Sequence, residues 1–548
     1  MELTSIVSQK DKRGKVRMYF LFLTVCSVLF FLIGLGNHDL WNPDEPRVAG
    51  ITAEMARDGD LVIPRLNKEP FLEKPPLYFW ASSAVMNLLG ENAYTARLIS
   101  ALSGLFGVLV IFVLARSMGF SPLAAFLSGF VLATSPQYWD LSRRCLIDMT
   151  LCFFIACCMA SYFQAIQASQ KTKTWSVLFV LSLSCAVLTK ALVGLVIPLS
   201  ALSVWLIIRE EFSLRPWALL LVGSVLCFIP FVIWLVFLYK GMGWGGVYEV
   251  VWTNNFGRFS GSRGAHIQPL FYYLYDFPSK FLPWTLFIPL AAIYHFQGIV
   301  NQKKRNPSLF ILAWFIAPFV LLSFSAGKRG IYLIPLFPAM ALFVGTALGA
   351  VLEGKRDPGK WYRVPFLILL VTIFLGGLAC CTAGIYFHRS FTICLFALPV
   401  FCLSIVALRH FIENDTPGSF RIMAVALGML LILVGCCVYP MLNQEKSFVP
   451  LFQYCEQLHS EEAQISLLGP KESVRGAAVF YLKRNIPELH REEEAKQFLE
   501  TGKNAIILCE KKKIRPVIRY LHILKSFDIG HRTYVLVKWK SQQNENRS

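Results

Sequence analysis

The stretch "MYFLFLTVCSVLFFLIGLGNHDLWNPDEPRVAG", residues 18–50, decides the fold class. Its apolar run from Met18 to Gly36 matches a bilayer core, which takes about 20 helical residues to cross. The run ends almost directly on Asp44, Glu45 and Arg47, interleaved with Pro43 and Pro46. The chain leaves a membrane and at once presents two carboxylates and a guanidinium.

The rest of the sequence repeats the first half of that pattern. Of 548 residues, 55% are apolar and 16% are charged, with a mean hydropathy of +0.53. A chain surrounded by water needs a more charged surface than this. Apolar runs at 18–36, 94–117, 121–139, 147–167, 174–190, 191–208, 216–239, 280–299, 308–325, 330–349, 364–386, 391–408 and 421–440 predict about 13 spans of an all-α polytopic membrane protein. Residues 174–208 read equally well as one broken helical hairpin.

Basic residues collect in "KDKRGKVR" (10–17), "KTK" (171–173), "KKR" (303–305), "GKRDPGKWYR" (354–363) and between Arg409 and Arg421. With this span count all of them fall on one side, which the positive-inside rule makes cytoplasmic. Topology thus accounts for much of the net charge of +19, and no nucleic-acid partner is implied. The other side receives 37–93, 240–279 and 441–548. The first span lacks a small-x-small site and is followed by many more, so it is not read as a cleaved signal peptide.

The tail, 441–548, is less apolar. Strand-like "QISLLG", "NAIILCE" and "TYVLVKW" alternate with helical "VRGAAVFYLKRN" and "REEEAKQFLETG", which predicts a small α/β domain outside the cytoplasm. The expected division is a membrane domain over 1–440, with 37–93 as its first external loop, and the α/β domain over 441–548. Most of the 15 cysteines lie in apolar runs, where a thiol acts as a small hydrophobe, and no zinc-ribbon or disulfide pattern is present. No Walker A sequence occurs, so no nucleotide cofactor is expected. A transporter would call for inverted repeats and midplane ionisable groups. Here the charges gather at span ends instead.

After the first span, Asp44 is placed to cap a helix that buries Val48, Ile51, Thr52 and Met55 and closes at Gly59. This helix and "PPLYFWASSAVMNLLG" (75–90) are expected to lie along the membrane surface, with Tyr78, Phe79 and Trp80 at interface depth. Two readings of the charges stay open on spacing alone. Asp44 and Glu45 complement a helix N-terminus, and Glu73–Lys74 is a solvated pair. Alternatively, acids and bases line a membrane-level cavity that takes an acceptor proton and a phosphate leaving group.

The run 42–80 closely resembles the first external loop of the aminoarabinose transferases that modify lipid A. These are polyprenyl-phosphate-dependent membrane glycosyltransferases of the GT-C type, a group that also holds protein O-mannosyltransferases. Asp44, Glu45, Arg47, Ala49, Glu54, Met55, Gly59, Asp60, Pro64, Arg65, Asn67, Glu73, Lys74, Pro75, Pro76 and Trp80 carry the likeness. Further likeness lies in "RRCLIDMTLCFF" (Asp148), "LTKALVGLVIP" (Lys190), "GRFSGSRGAHIQPLFYYL" (Arg258, His266) and "SFSAGKRGIYLIPLFP" (Lys328, Tyr332). The departures are Pro46, Val48, Ala191, Gly330 and Ile331, none of which removes a charge.

The resemblance implies an inverting transfer of a sugar, aminoarabinose or a similar one, from a polyprenyl-phosphate carrier such as undecaprenyl phosphate to a lipid A phosphate, with a protein hydroxyl or another envelope glycan as the alternative acceptor. It implies catalytic roles for Asp44, Glu45 and Asp148. It implies donor-phosphate binding by Arg47, Lys74, Lys190, Arg258, Lys328 and Tyr332, since guanidinium and ammonium groups suit phosphate. Glu73 and His266 are the expected ligands of a divalent metal ion such as zinc, manganese or magnesium. The expected location is a bacterial inner membrane, with the N-terminus cytoplasmic, the tail periplasmic and membrane lipids around the spans.

Overall fold

The computed structural model describes residues 2–167, 171–256, 267–301, 305–388, 391–460, 462–502, 504–514 and 521–539. The chain divides into two compact units. One comprises Met1–Leu35, Leu72–Tyr78 and Arg97–Val438, and the other Gly36–Phe71, Phe79–Ala96 and Tyr439–Ser548.

The first unit is helical and membrane-spanning. Among the described residues, ten helices are long and apolar enough to cross a bilayer, against the 13 expected. The other three expected spans fall on the shorter helices Pro122–Ala133, Leu192–Ile208 and Trp284–Val300. Each is shortened by a local break. Thr134 ends the first before Pro136 opens a separate helix, Pro136–Ser142. Ala191 separates the second from Thr172–Lys190, giving the broken hairpin. Pro283 precedes the third, whose first turn, Trp284–Phe287, is 3-10.

A twelve-residue helix is only about 18 Å long, well short of the hydrocarbon core. Packing secures Pro122–Ala133. A Cβ on Gly345 would sit 2.4 Å from the Ser128 backbone, and one on Gly349 2.6 Å from the Ala124 Cβ. These two glycines, one turn apart on the buried helix Phe337–Leu352, let the backbones meet, as small residues do between membrane helices.

The first span ends on buried cations. The Arg143 guanidinium donates to the Phe30 and Ile33 carbonyls at 3.1 and 2.7 Å, and the Trp139 indole to Phe30 at 3.0 Å. Arg97 reaches the Leu35 carbonyl at 2.9 Å. The unpaired carbonyls of a helix C-terminus carry partial negative charge, so two arginines stabilise them inside an apolar unit.

The second unit contains a five-stranded sheet in the order β4-β3-β5-β7-β6, from β3 (Gln464–Leu468), β4 (Glu488–Leu489), β5 (Ala505–Glu510), β6 (Leu521–Ile529) and β7 (Arg532–Trp539). Strands β4, β3 and β5 are parallel, and β7 and β6 add as an antiparallel hairpin. Period-two alternation covers both faces. Ile506 and Leu508 of β5 join one core with Ala477 and Ala478 of the helix Glu472–Tyr481. Ile507 and Cys509 join the other core with Ala495 and Leu499 of the helix Glu492–Thr501.

Most of the loop after the first span, Gly36–Phe71 and Phe79–Ala96, belongs to this same unit, and two expectations change there. Helix Asp44–Asp58 starts at Asp44 itself; Pro43 holds the cap position, with no side-chain cap bond, so Asp44 is not the N-cap. Gly59 does close the helix, at φ 70°, with its N–H on the Met55 carbonyl. Rather than lying on a membrane surface by one face, the helix is buried from Glu45 to Met55 except at Arg47. The physical reason is a glycine contact. A Cβ on Gly50 would lie 2.5 Å from the Gly476 Cα, and one on Gly476 2.1 Å from the Pro46 carbonyl oxygen. The helices Asp44–Asp58 and Glu472–Tyr481 therefore cross backbone to backbone.

Tyr78 and Phe79 are likewise fully buried rather than interfacial. Only Trp80 of that trio is partly exposed, its indole donating to the Leu61 carbonyl at 2.6 Å.

Candidate active site

In the first unit three of the expected residues come together. Asp148 lies in the first turn of Ile147–Gln167, and Lys190 ends the following helix, Thr172–Lys190. The two helices form a hairpin, so a helix start and a helix end share one level. Lys190 Nζ stands 2.5 Å from Asp148 Oδ1, with the side chains 11% and 10% exposed. The ammonium also lies 4.7 Å from the centre of the Tyr332 ring. An acid at a helix N-terminus and a base at a C-terminus each meet the favourable end of a macrodipole. The ring adds a cation–π contact.

Local sequence builds this arrangement. Ala191 turns the chain at φ 46°, ψ −128°, a conformation natural to glycine, and its N–H bonds the Val187 carbonyl at 2.7 Å. Tyr332 sits on the 3-10 segment Gly330–Leu336 with its N–H on the Arg329 carbonyl at 2.9 Å. The Cys152 thiol, one turn on from Asp148, donates to the Ile334 carbonyl of that segment.

Lys328 is buried, and its ammonium donates to the Gln268 carbonyl at 3.0 Å. Glu73 and Lys74 are partly buried in the bend before helix Leu77–Leu89. Near them the Asn254 amide holds the Leu72 carbonyl at 3.1 Å. Arg258 and His266 lie outside the described residues. Among the described residues no three His, Cys, Asp or Glu side chains gather as metal ligands. Of the expected metal pair only Glu73 is described.

In the second unit Asp44 and Arg47 pair at 3.0 Å, and the other arm of the guanidinium meets Glu472 at 2.7 Å. Arg47 therefore forks between two carboxylates, which suits it to positioning Asp44. Glu45 is buried, and its Oε2 accepts the Trp41 N–H at 3.0 Å. That carboxylate tethers the chain as it enters the helix.

Glu54 and Asn67 belonged to the sequence likeness without a role, and the fold supplies one. Asn67 and Lys68, both at positive φ, form the turn between β1 (Arg65–Leu66) and β2 (Glu69–Pro70). Their two N–H groups donate to the Glu54 carboxylate, each at 2.7 Å. The Asn67 amide binds Ile486 in both directions and donates to Glu488 at 2.6 Å. Burial raises the Glu54 carboxyl above its ordinary value, while the two N–H groups pull the other way. Arg143, Arg97 and Glu472 were also missed. For the two arginines the available signal was a cation between apolar runs; for Glu472 there was none.

The fold is that of a multi-pass membrane protein of the GT-C type. Within that class the chain is similar to aminoarabinose transferases. Residues 17–241 match the family model described as dolichyl-phosphate-mannose-protein mannosyltransferase. The undecaprenyl phosphate-alpha-4-amino-4-deoxy-L-arabinose arabinosyl transferase of Edwardsiella ictaluri is 28% identical over 363 residues, 65% of this chain and 63% of that protein. The match therefore spans less than two thirds of that relative's length. The protein of the same name from Pseudomonas aeruginosa is 26% identical over 442 residues, 74% of this chain and 78% of its own. The crystal structure of ArnT from Cupriavidus metallidurans bound to undecaprenyl phosphate superposes with a TM-score of 0.75 at 22% identity, covering 94% of this chain and 97% of that one.

Proposed function

We propose that this chain transfers a sugar, aminoarabinose or a close relative, from undecaprenyl phosphate to a lipid A phosphate. The observation that carries the reading is the buried Lys190–Asp148 pair beneath Tyr332, at helix ends in a membrane unit. A charge in such a place is costly unless it serves a polar substrate. The names of the relatives from Edwardsiella ictaluri and Pseudomonas aeruginosa support the donor and the sugar.

In an inverting transfer the acceptor oxygen bonds the anomeric carbon as the bond to the carrier phosphate breaks. Negative charge grows on the departing phosphate. Lys190 answers that charge directly, and Lys74, Arg258 and Lys328 add to it. A divalent ion on Glu73 and His266 would supply further positive charge to the phosphate. Asp148 pairs with Lys190 and aims it. A phosphate acceptor is already largely anionic near neutral pH, so Asp44, set by Arg47, chiefly orients it and takes any residual proton. The reading places the chain in a bacterial inner membrane, with a cytoplasmic N-terminus and a periplasmic tail.

The match to a protein-mannosyltransferase family model favours one alternative, a protein hydroxyl as acceptor. Mass spectrometry of lipid A from cells with and without the chain separates the two. A phosphate-linked sugar that needs the chain is expected. Unmodified lipid A, with chain and donor both present, would sink the proposal.

A further inference from the structure

The sheet of the second unit has a topological switch point that the reaction above does not use. From β3 the chain passes through helix Glu472–Tyr481 to β4 on one side, whereas from β5 it leaves toward the β7–β6 hairpin on the other. Loops leaving adjacent parallel strands in opposite directions open a crevice at their carboxyl ends, where open α/β sheets bind ligands.

Basic side chains gather there. Lys471 follows β3, and Lys512 and Lys513 follow β5. Arg532 opens β7, whose pairing sets Tyr534 opposite Glu510 at the end of β5. Glu510 lies 3.2 Å from the Lys512 ammonium and 3.8 Å from that of Lys471. The Lys513 ammonium donates to the Gly469 carbonyl in the loop after β3. Four cations from three loops thus gather at one end of the sheet, two of them paired with the single carboxylate of Glu510.

The electrostatics agree with a surplus. Burial first, then the charges of Arg532, Lys512 and Lys513, hold Lys471 below the usual lysine range, with Glu510 pulling the other way. Like charges at this density repel unless an anion joins them. The neighbouring acid, Glu472, is committed to Arg47.

We propose that Lys471, Lys512, Lys513 and Arg532 form an anion site that takes a phosphate monoester of the glycolipid acceptor. The inference rests on the lipid A reading for its ligand and assigns the α/β unit a part in holding that acceptor. Lys512, 60% exposed, would make first contact, and Arg532 can grip phosphate through two N–H groups.

The test is direct binding to the full-length protein in nanodiscs. The probes are bis-phosphorylated lipid A, its dephosphorylated form, and inorganic phosphate. The double variant K471A/K512A is expected to bind the phosphorylated lipid about 10-fold or more weakly, with dephosphorylated lipid bound equally by both proteins. Unchanged undecaprenyl phosphate binding would show that the variant is folded. The exposed single variant Lys512→Gln, expected to shift binding in the same direction, covers a double variant that fails to fold. Equal affinity of wild type and both variants for phosphorylated lipid would overturn the site. Inorganic phosphate that competes as well as the lipid, mole for mole, would overturn the glycolipid assignment. Because binding is read without transfer, a failure of the proposed reaction shows separately, as bound acceptor that is never modified.

Discussion

Lys190 Nζ and Asp148 Oδ1 stand 2.5 Å apart at the open end of a helical hairpin, both nearly sealed from solvent. Forty-one residues separate them in sequence, yet the hairpin returns the end of one helix to the start of the other. Neither ion would be stable there alone, because burying an unpaired charge costs several kcal/mol.

Removing one partner should therefore act on stability and catalysis together. Lys190→Met or Asp148→Asn should each cost about 3–5 kcal/mol of stability and lower transfer by about 100-fold or more. The double variant, with no buried charge left, should regain most of the stability and none of the transfer. Thermal unfolding in detergent beside a transfer assay checks this. A double variant that regained activity would make the pair structural.

Asp44→Asn should leave the fold intact, since its contact with Arg47 is partly exposed and such pairs contribute only about 0–1 kcal/mol. Transfer should fall about 100-fold or more, with donor affinity unchanged. Full activity in a folded Asp44→Asn protein would remove Asp44 from the reaction.

Ala191→Gly should raise stability by about 1 kcal/mol, because an alanine held at φ 46° is strained and glycine is not. The measurement is the thermal midpoint. A fall would mean that the extra freedom of glycine in the unfolded chain outweighs the strain.

Gly476→Val should disrupt the second unit. Its Cβ would fall 2.1 Å from the Pro46 carbonyl oxygen, where backbone cannot yield as a side-chain tip can. Limited proteolysis should then cut within 36–71 and 439–548 while the membrane helices persist. A variant as resistant as wild type would contradict the backbone crossing.

The Glu54 carboxyl is raised above its ordinary 4.5, chiefly by burial. The folded state then binds more protons than the unfolded one, so this contribution to stability is full below about pH 4.5 and is lost as pH rises through the folded value. Glu54→Gln cannot titrate and should show a flatter midpoint between about pH 4.5 and 7. It should also be less stable throughout, by about 1–3 kcal/mol, because one amide oxygen cannot replace both carboxylate oxygens under the Asn67 and Lys68 N–H groups. Parallel pH profiles of the two proteins are the check.

Much was legible beforehand where the signal is local. Gly59 ended its helix as a glycine at positive φ should, and the alternating tail formed a two-faced sheet. The segment 174–208 breaks at Ala191, in keeping with its reading as a broken helical hairpin. Asp44 is not the cap because the preceding proline takes that position and the acid is the first residue of the helix. Helix Asp44–Asp58 was misread as a surface helix because its polar face meets another helix rather than water.

The sequence by itself determined the class of this protein, because the transfer of apolar residues into a bilayer is summed residue by residue along a run. It also marked which charged residues stand at the ends of those runs. Only the tertiary structure decided which of them meet. Lys190 found Asp148 and Tyr332, Arg47 found Glu472, and Gly50 found Gly476, each across a gap in sequence that no local pattern encodes. Such pairings are set by helix crossings, and at Gly50 and Gly476 the absence of two side chains determines how closely the backbones pass.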